Sequence, residues 1–437
     1  MTVIRPNSIS GVSSITGSGG DITIFRADGT AADVTVNNIT SGIITATHYG
    51  SGANLTNLPA ANITGTLPAS DGSALTGINT AFGNSSVNTS GIITATAFIP
   101  SSGQLSNRNI IINGDFRIAQ RGTSSTSTGY QTVDRFRFAF GGTDEAPTQA
   151  QVDLSSSDTP YSLGFRKSYK ITNGNQTSGA DAGDYIAFYT ALEAQDLANS
   201  GWNYTSTSSN ITLSFWAKSS VAKTFIVKFT TIDGTQQAYN HSFTLSANTW
   251  TKVTHTLPGA ANIRFDNNAN NGVEIQWDMY SGTTYTSGST VNQWVAYNGY
   301  TSTPDQTSDW YTTNDATFEI TGVQLEVGSV ATPFEHRSVA DSMLRCKRYF
   351  QPFIQYAEYT SGGTGNLGFP YTAFTVPMRA SPTFISDHES KSSNWSFTSM
   401  QVQGSAAYGY YAYAISYNTT NSNYGYMRKY GRASAEL

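Results

Sequence analysis

Large side chains are distributed along this chain as a gradient. The first hundred residues hold four aromatics, Phe25, Tyr49, Phe82 and Phe98, and no tryptophan, whereas residues 341–437 hold 19. Burial of apolar groups is the main stabilising term in folding, and a short segment hides a smaller share of its surface than a long one. A hundred residues so poor in bulk cannot build a large core alone. They need partners, and further copies of the same chain are the simplest ones.

Repeats give the same reading. Thr40-Ser41-Gly42-Ile43-Ile44-Thr45-Ala46-Thr47 recurs unchanged at Thr89 to Thr96. Between the copies, Asn57-Leu58-Pro59-Ala60 is echoed by Thr66-Leu67-Pro68-Ala69. Short Ile/Thr/Val strands punctuated by Gly, Asn and Pro suit a thin β-rich shaft over 37–106, because a flexible linker has no need of apolar residues at fixed intervals. Ahead of it, Asp21 to Phe25 and Asp33 to Val36 alternate at period two around Asp28-Gly29, a hairpin signal that assigns 1–36 to an anchoring segment or a cap.

Composition narrows the classes that remain. Charged residues are 12% of the 437, and the formal net charge is −5, which leaves no basic footprint for nucleic acid. A single cysteine, Cys346, excludes a disulfide framework. No apolar run approaches the ~18 residues a membrane helix requires, and the N-terminus lacks the basic-then-apolar order of a secretory signal. Abundant aromatics with little charge argue against disorder.

From Asn107 the pattern becomes that of a folded all-β domain. Strands are expected at 136–140, 168–172, 185–189, 211–218, 225–230, 239–245, 249–256, 273–279 and 317–327, with turn residues between them. About ten strands with almost no helix read as a jelly-roll β-sandwich over 107–337. Trp216, Trp250 and Trp277 fall within strands and are assigned to its core. A short helix is expected over 190–198, with Thr190 and Glu193 as a capping box, and a second over 338–350, with Ser338 and Asp341 at its start and Pro352 to stop it. A buried pair between Asp134 and Arg117 or Arg121 is expected to pin the strand that follows. Residues 338–437 then form a helix and a small β-rich tip.

Several segments, in order, resemble bacteriophage tail-fibre and receptor-binding proteins: Asn107 to Gly122 (NRNIIINGDFRIAQRG), Ile211 to Ser220 (ITLSFWAKSS), Phe318 to Arg337 (FEITGVQLEVGSVATPFEHR) and the terminal Ala433 to Leu437 (ASAEL). The repeats SGIITAT and NLPAANITGTLP are similar to fibre shafts in phages of marine cyanobacteria. The resemblance implies a homotrimeric virion fibre. Its N-terminus would sit on other particle proteins, and a middle domain similar to carbohydrate-binding jelly rolls would face host polysaccharide or lipopolysaccharide. In such jelly rolls an opening and a late strand help hold a structural calcium, which requires six to eight oxygens. The candidates here are Asp115, Glu319 and Glu326. A head fibre, whisker or decoration protein without receptor specificity satisfies the same anchor, shaft and tip.

Sugars offer C–H faces that stack on aromatic rings, while neutral side chains bond the hydroxyls. The aromatic-rich, charge-poor loops therefore supply the binding candidates Trp202, Tyr204, Trp294, Tyr297, Tyr300 and Trp310. In the tip, Tyr410 and Tyr413 belong to a tyrosine–glycine–alanine run that suits either an exposed surface or a subunit interface. No catalytic residue is expected. A depolymerase needs two carboxylates roughly 5–10 Å apart, and the five histidines show no nucleophile or metal spacing.

Overall fold

A computed structural model describes residues 106–437, except 288, 300–302, 360–364, 369–371, 392–394 and 419–424, together with Thr30. The N-terminal hairpin and the repeats at 37–105 lie outside the described residues. The described residues from 106 on fall within one compact unit, Thr94–Leu437.

Two six-stranded antiparallel sheets form the sandwich. The first runs in the order β1 (Ser124–Ser125), β3 (Thr148–Asp153), β4 (Lys167–Thr172), β12 (Thr317–Val327), β6 (Asn210–Ser219) and β9 (Thr251–Pro258). The second runs β11 (Trp294–Ala296), β8 (Gln237–Leu245), β7 (Lys223–Thr231), β10 (Asn271–Ser281), β5 (Tyr185–Glu193) and β2 (Phe136–Gly141). Eight of these strands carry the topology. The chain crosses to the opposite sheet after every one of them except at the β7–β8 hairpin, giving the orders β4-β12-β6-β9 and β5-β10-β7-β8. That is an eight-stranded jelly roll.

Period-two alternation fills the space between the sheets. On β10, Ile275, Trp277 and Met279 are fully buried. Trp277 stacks on Phe188 of β5 at 5.1 Å and meets Phe215 of β6 edge-on at 5.9 Å. Trp250 is buried as expected, though in a second, smaller core cluster, whereas Trp216 is only partly buried. Trp216 has the opposite strand parity from Phe215, so both tryptophans join Leu154 and Phe165 in a small cluster away from the main core. The indole of Trp250 donates to Asp158 at 2.7 Å.

Local signals held where nothing distant competed. Asn113, at φ +61°, closes the turn before Asp115 by bonding Ile118 in both directions. Asp134 pairs with Arg121 at 3.5 Å, whereas Arg117 pairs with Asp115. The helix expected over 190–198 is half strand. β5 continues to Glu193, and only α2 (Ala194–Ala198) is helical, with no side-chain cap. Two further short helices, α1 (Thr159–Ser162) and α3 (Asp309–Thr312), lie in connections. α4 (Val339–Lys347) starts as expected, with Ser338 accepting from the Asp341 amide, and stops three residues sooner than Pro352 alone would require.

After α4 the chain forms a sheet of β13 (Phe350–Tyr359), β19 (Gly425–Ser434) and β16 (Thr383–Lys391), and a second of β14 (Gly365–Gly368), β18 (Gly409–Asn418), β15 (Thr372–Ala373) and β17 (Trp395–Ala406). This region is tied to the sandwich by polar groups of both ends. Arg348 grips the buried carboxylate of Glu193 through Nε and Nη2, each at 2.7 Å, and the Tyr349 hydroxyl donates to the same carboxylate at 2.6 Å. Charge-assisted bonds with fixed fork geometry are among the stronger polar contacts.

Candidate functional site

The outer face of the second sheet is shaped by the same alternation that buries Trp277. Pairing places Arg137 (β2), Tyr189 (β5), Gln276 (β10) and Lys228 (β7) opposite one another in turn, so their side chains form one row across the sheet. Glu274 and Thr230 fall in the adjacent row. With Tyr185, Tyr285, Tyr297 and Gln236 these residues line a groove of about 900 Å³, a size that accommodates a ligand of several rings.

Its walls are aromatic and its floor polar. Tyr185 and Tyr285 meet edge-to-face at 5.1 Å. The Arg137 guanidinium lies 4.8 Å from the Tyr189 ring centroid and donates to Glu274 at 3.1 Å. Burial raises the Glu274 carboxyl above its usual range, against the pull of Arg137 and Lys228. Lys228 is buried and donates to Thr303 at 3.2 Å. Gln276 commits its amide nitrogen to Asp278, which leaves the carbonyl end of that amide for the groove. Asp278 itself is fully buried, and desolvation raises its pKa. Glu274 is the single carboxylate among the lining residues. Asp278 lies four positions further along the strand, a span of about 13 Å.

Among the described candidate side chains, Tyr297 alone lines this groove. Trp310 is fully buried and Trp202 nearly so, their indoles donating to the carbonyls of Thr317 and Ser209, so neither offers a face for stacking. Tyr204 is half-buried against Phe265 at 4.7 Å. Trp294 packs edge-on to Tyr239 at 5.2 Å and donates to Pro258, which ties β11 to the end of β9. Tyr300 lies outside the described residues. Tyr410 and Tyr413 sit on β18, paired with Thr372 and Gly368. Tyr185, Tyr189, Arg137 and Glu274 were missed. The signal for them was present, since Tyr185 and Tyr189 share one face of β5 and the acidic and amide residues of β10 alternate with its core residues.

The calcium candidates are dispersed among protein donors. Asp115 pairs with Arg117. Glu319 meets Lys218 and Ser168, each at 3.3 Å. Buried Glu326 accepts from the amide and hydroxyl of Thr332 and from Gln324. Among the described residues no group of three His, Cys, Asp or Glu side chains is placed to hold a metal ion. Glu326 ties the end of β12 to the segment leading to α4.

No protein-family profile matches the chain, and no curated protein matches it. Several solved structures align with part of it. The enzymatically active domain of bacteriophage CBA120 tailspike protein 4 is 13% identical over 50% of this chain, with a TM-score of 0.27, and the chain spans only 21% of that structure. A putative sugar binding protein from Bacteroides thetaiotaomicron is 12% identical over 50% of this chain and 99% of its own, with a TM-score of 0.28. The CBM22-1 xylan-binding domain of Paenibacillus barcinonensis Xyn10C is 10% identical over 48% of this chain and 94% of its own, with a TM-score of 0.24.

Proposed function

We propose that this chain is an external fibre protein of a virus particle and that its jelly roll binds a cell-surface polysaccharide, without cleaving it, in the groove over β2, β5, β10 and β7. The observation that carries the binding reading is the row Arg137–Tyr189–Gln276 between tyrosine walls. Rings supply stacking surface for sugar C–H faces, and a donor beside two acceptors suits hydroxyl groups, which both give and take hydrogen bonds. The fibre reading rests on the ordered motifs and on the N-terminal repeats. Three copies, with the N-terminus on the particle, would multiply weak individual contacts by avidity.

The placement of the carboxylates supports a reading of binding without hydrolysis. A glycosidase holds two of them about 5–9.5 Å apart. Among the described residues the groove exposes one carboxylate, Glu274, which is engaged by Arg137, and Asp278 is both too far and fully buried.

A glycan array probed with the full-length protein, followed by titration of the best polysaccharide, tests the reading. Tyr189→Ala should weaken binding by about tenfold or more, the scale of one lost aromatic contact, with the melting temperature held. No new reducing ends should appear on prolonged incubation. Affinity that survives both Tyr189→Ala and Gln276→Ala, in folded protein, would place the sugar elsewhere and sink the assignment of the groove.

A further inference from the structure

Helix α4 carries its apolar residues on the wrong side for a lone chain. Its buried side chains are Ser342 and Cys346. Val339 is 56% exposed and Leu344 44%, and Ala340 also faces solvent. Positions 339, 340, 343 and 344 lie one turn apart, so these residues form a single stripe. A surface helix ordinarily turns that stripe to its own core, and an apolar patch left outward marks a contact with something else. Val330, shortly ahead of the helix, is 60% exposed, and the sheet that follows leaves Ile354 at 63%.

The place where the described chain begins identifies what covers the stripe. The Asn107 side chain accepts from Arg337 and Arg345, each at 3.2 Å, so the described chain begins beside α4. Residues 1–105 carry the repeated octapeptide and almost no aromatic bulk, the composition that calls for further copies. Copies gathered through that segment would meet next at α4. The flank of the stripe suits a like neighbour as well. Arg337 pairs with Glu335 at 2.8 Å and Arg345 with Asp341 at 3.2 Å, which leaves both cations neutralised within their own chain.

We propose that the outer face of α4, centred on Val339, Ala340 and Leu344, is a contact surface between copies of this chain. The proposal rests on the multi-copy part of the reading above and is independent of the sugar groove. It is tested on the full-length protein carrying Leu344→Cys, with Val339→Cys as a second probe of the stripe and Thr207→Cys as an exposed control. The native Cys346 is fully buried and stays silent. Both stripe thiols should react with a maleimide at least about tenfold more slowly than the control, as expected of groups that need an opening event to be reached. Labelling at the control rate, with light scattering still reporting several copies, would overturn this surface and leave the multi-copy reading intact. A monomer by light scattering would overturn both.

Discussion

The guanidinium carbon of Arg135 lies 3.4 Å from the centroid of the Tyr349 ring. Arg135 immediately precedes β2 of the sandwich, and Tyr349 follows α4 some two hundred residues later. The arginine is buried, pairs with Glu436 and donates to the Ala191 carbonyl at 2.6 Å. Burial works against its charge, and the carboxylate of Glu436 together with Tyr349 and Tyr130 outweighs that penalty, so its pKa rises. Glu436 also accepts from Arg121 at 2.8 Å, and the guanidinium of Arg121 sits 3.6 Å from the Phe350 ring centroid. The C-terminal residues are therefore part of how the sandwich edge is closed.

Removing one partner of a buried ion pair strands the other, at a cost of about 3–5 kcal/mol. Glu436→Gln leaves buried Arg135 without its carboxylate, while Arg121 keeps Asp134, and should lower unfolding free energy by that order in a denaturant titration. Truncation after Ala433 should do at least as much. A loss below about 1 kcal/mol, the range of an exposed pair, would show that the junction contributes little.

Gly322 gives a second stability prediction. It sits in the β12 irregularity between Thr321 and Gln324 at φ +65°, and an added methyl would stand 2.6 Å from the Phe165 ring. Backbone strain and overpacking act together, so Gly322→Ala should cost about 2–4 kcal/mol. Gly179, at φ +87° with nothing within 4 Å of such a methyl, isolates the strain, and Gly179→Ala should cost only about 1 kcal/mol. Equal losses would remove the packing argument.

How far the sequence could be read follows from the range of the forces involved. β12 was legible to the residue because alternation and its turn at Gly328 are local. The helix over 190–198 failed because the Glu193 carboxylate, the expected capping partner, is taken by Arg348 and Tyr349, which no local pattern reveals. Trp202 and Trp310 sat in loop-like, charge-poor stretches and looked available. Their indoles are satisfied by carbonyls that only the folded chain brings near. The groove required register: Tyr189 and Gln276 each have ordinary strand parity, and only the pairing of β5 with β10 makes them neighbours.

The groove makes a prediction about salt. Arg137 and Glu274 neutralise one another at its surface, the buried Lys228 is engaged by Thr303, and the other lining groups are neutral. Screening weakens long-range attraction between exposed charges and barely touches stacking. Affinity for a neutral polysaccharide should change by less than about threefold between dilute buffer and ~0.5 M salt. A steep salt dependence would point to an acidic polymer held by charge. Arg137→Gln should weaken binding while changing stability by less than about 1 kcal/mol, the range of an exposed ion pair.

Acid should loosen the sandwich at one edge. His241 of β8 and His255 of β9 stack across the two sheets, with centroids 3.6 Å apart. His255 is hydrogen-bonded to the Tyr239 hydroxyl at 3.0 Å and His241 to Asn292 at 2.8 Å. Burial, and then the neighbouring His241, push His255 down to about 4, and burial lowers His241 as well. The unfolded chain takes up these protons near the ordinary histidine value of about 6.5, the folded chain only below it. Unfolding therefore binds protons, and stability is full above about pH 6.5 and declines as pH falls towards 4. Carboxylates titrate in the lower part of that window, some in the opposite sense, so the histidine contribution is read as a difference. Between pH 7 and 4.5 the melting temperature of the native protein should fall further than that of His255→Gln, which keeps a polar side chain without a proton to gain. Parallel curves would show that the stacked pair does not carry the acid sensitivity.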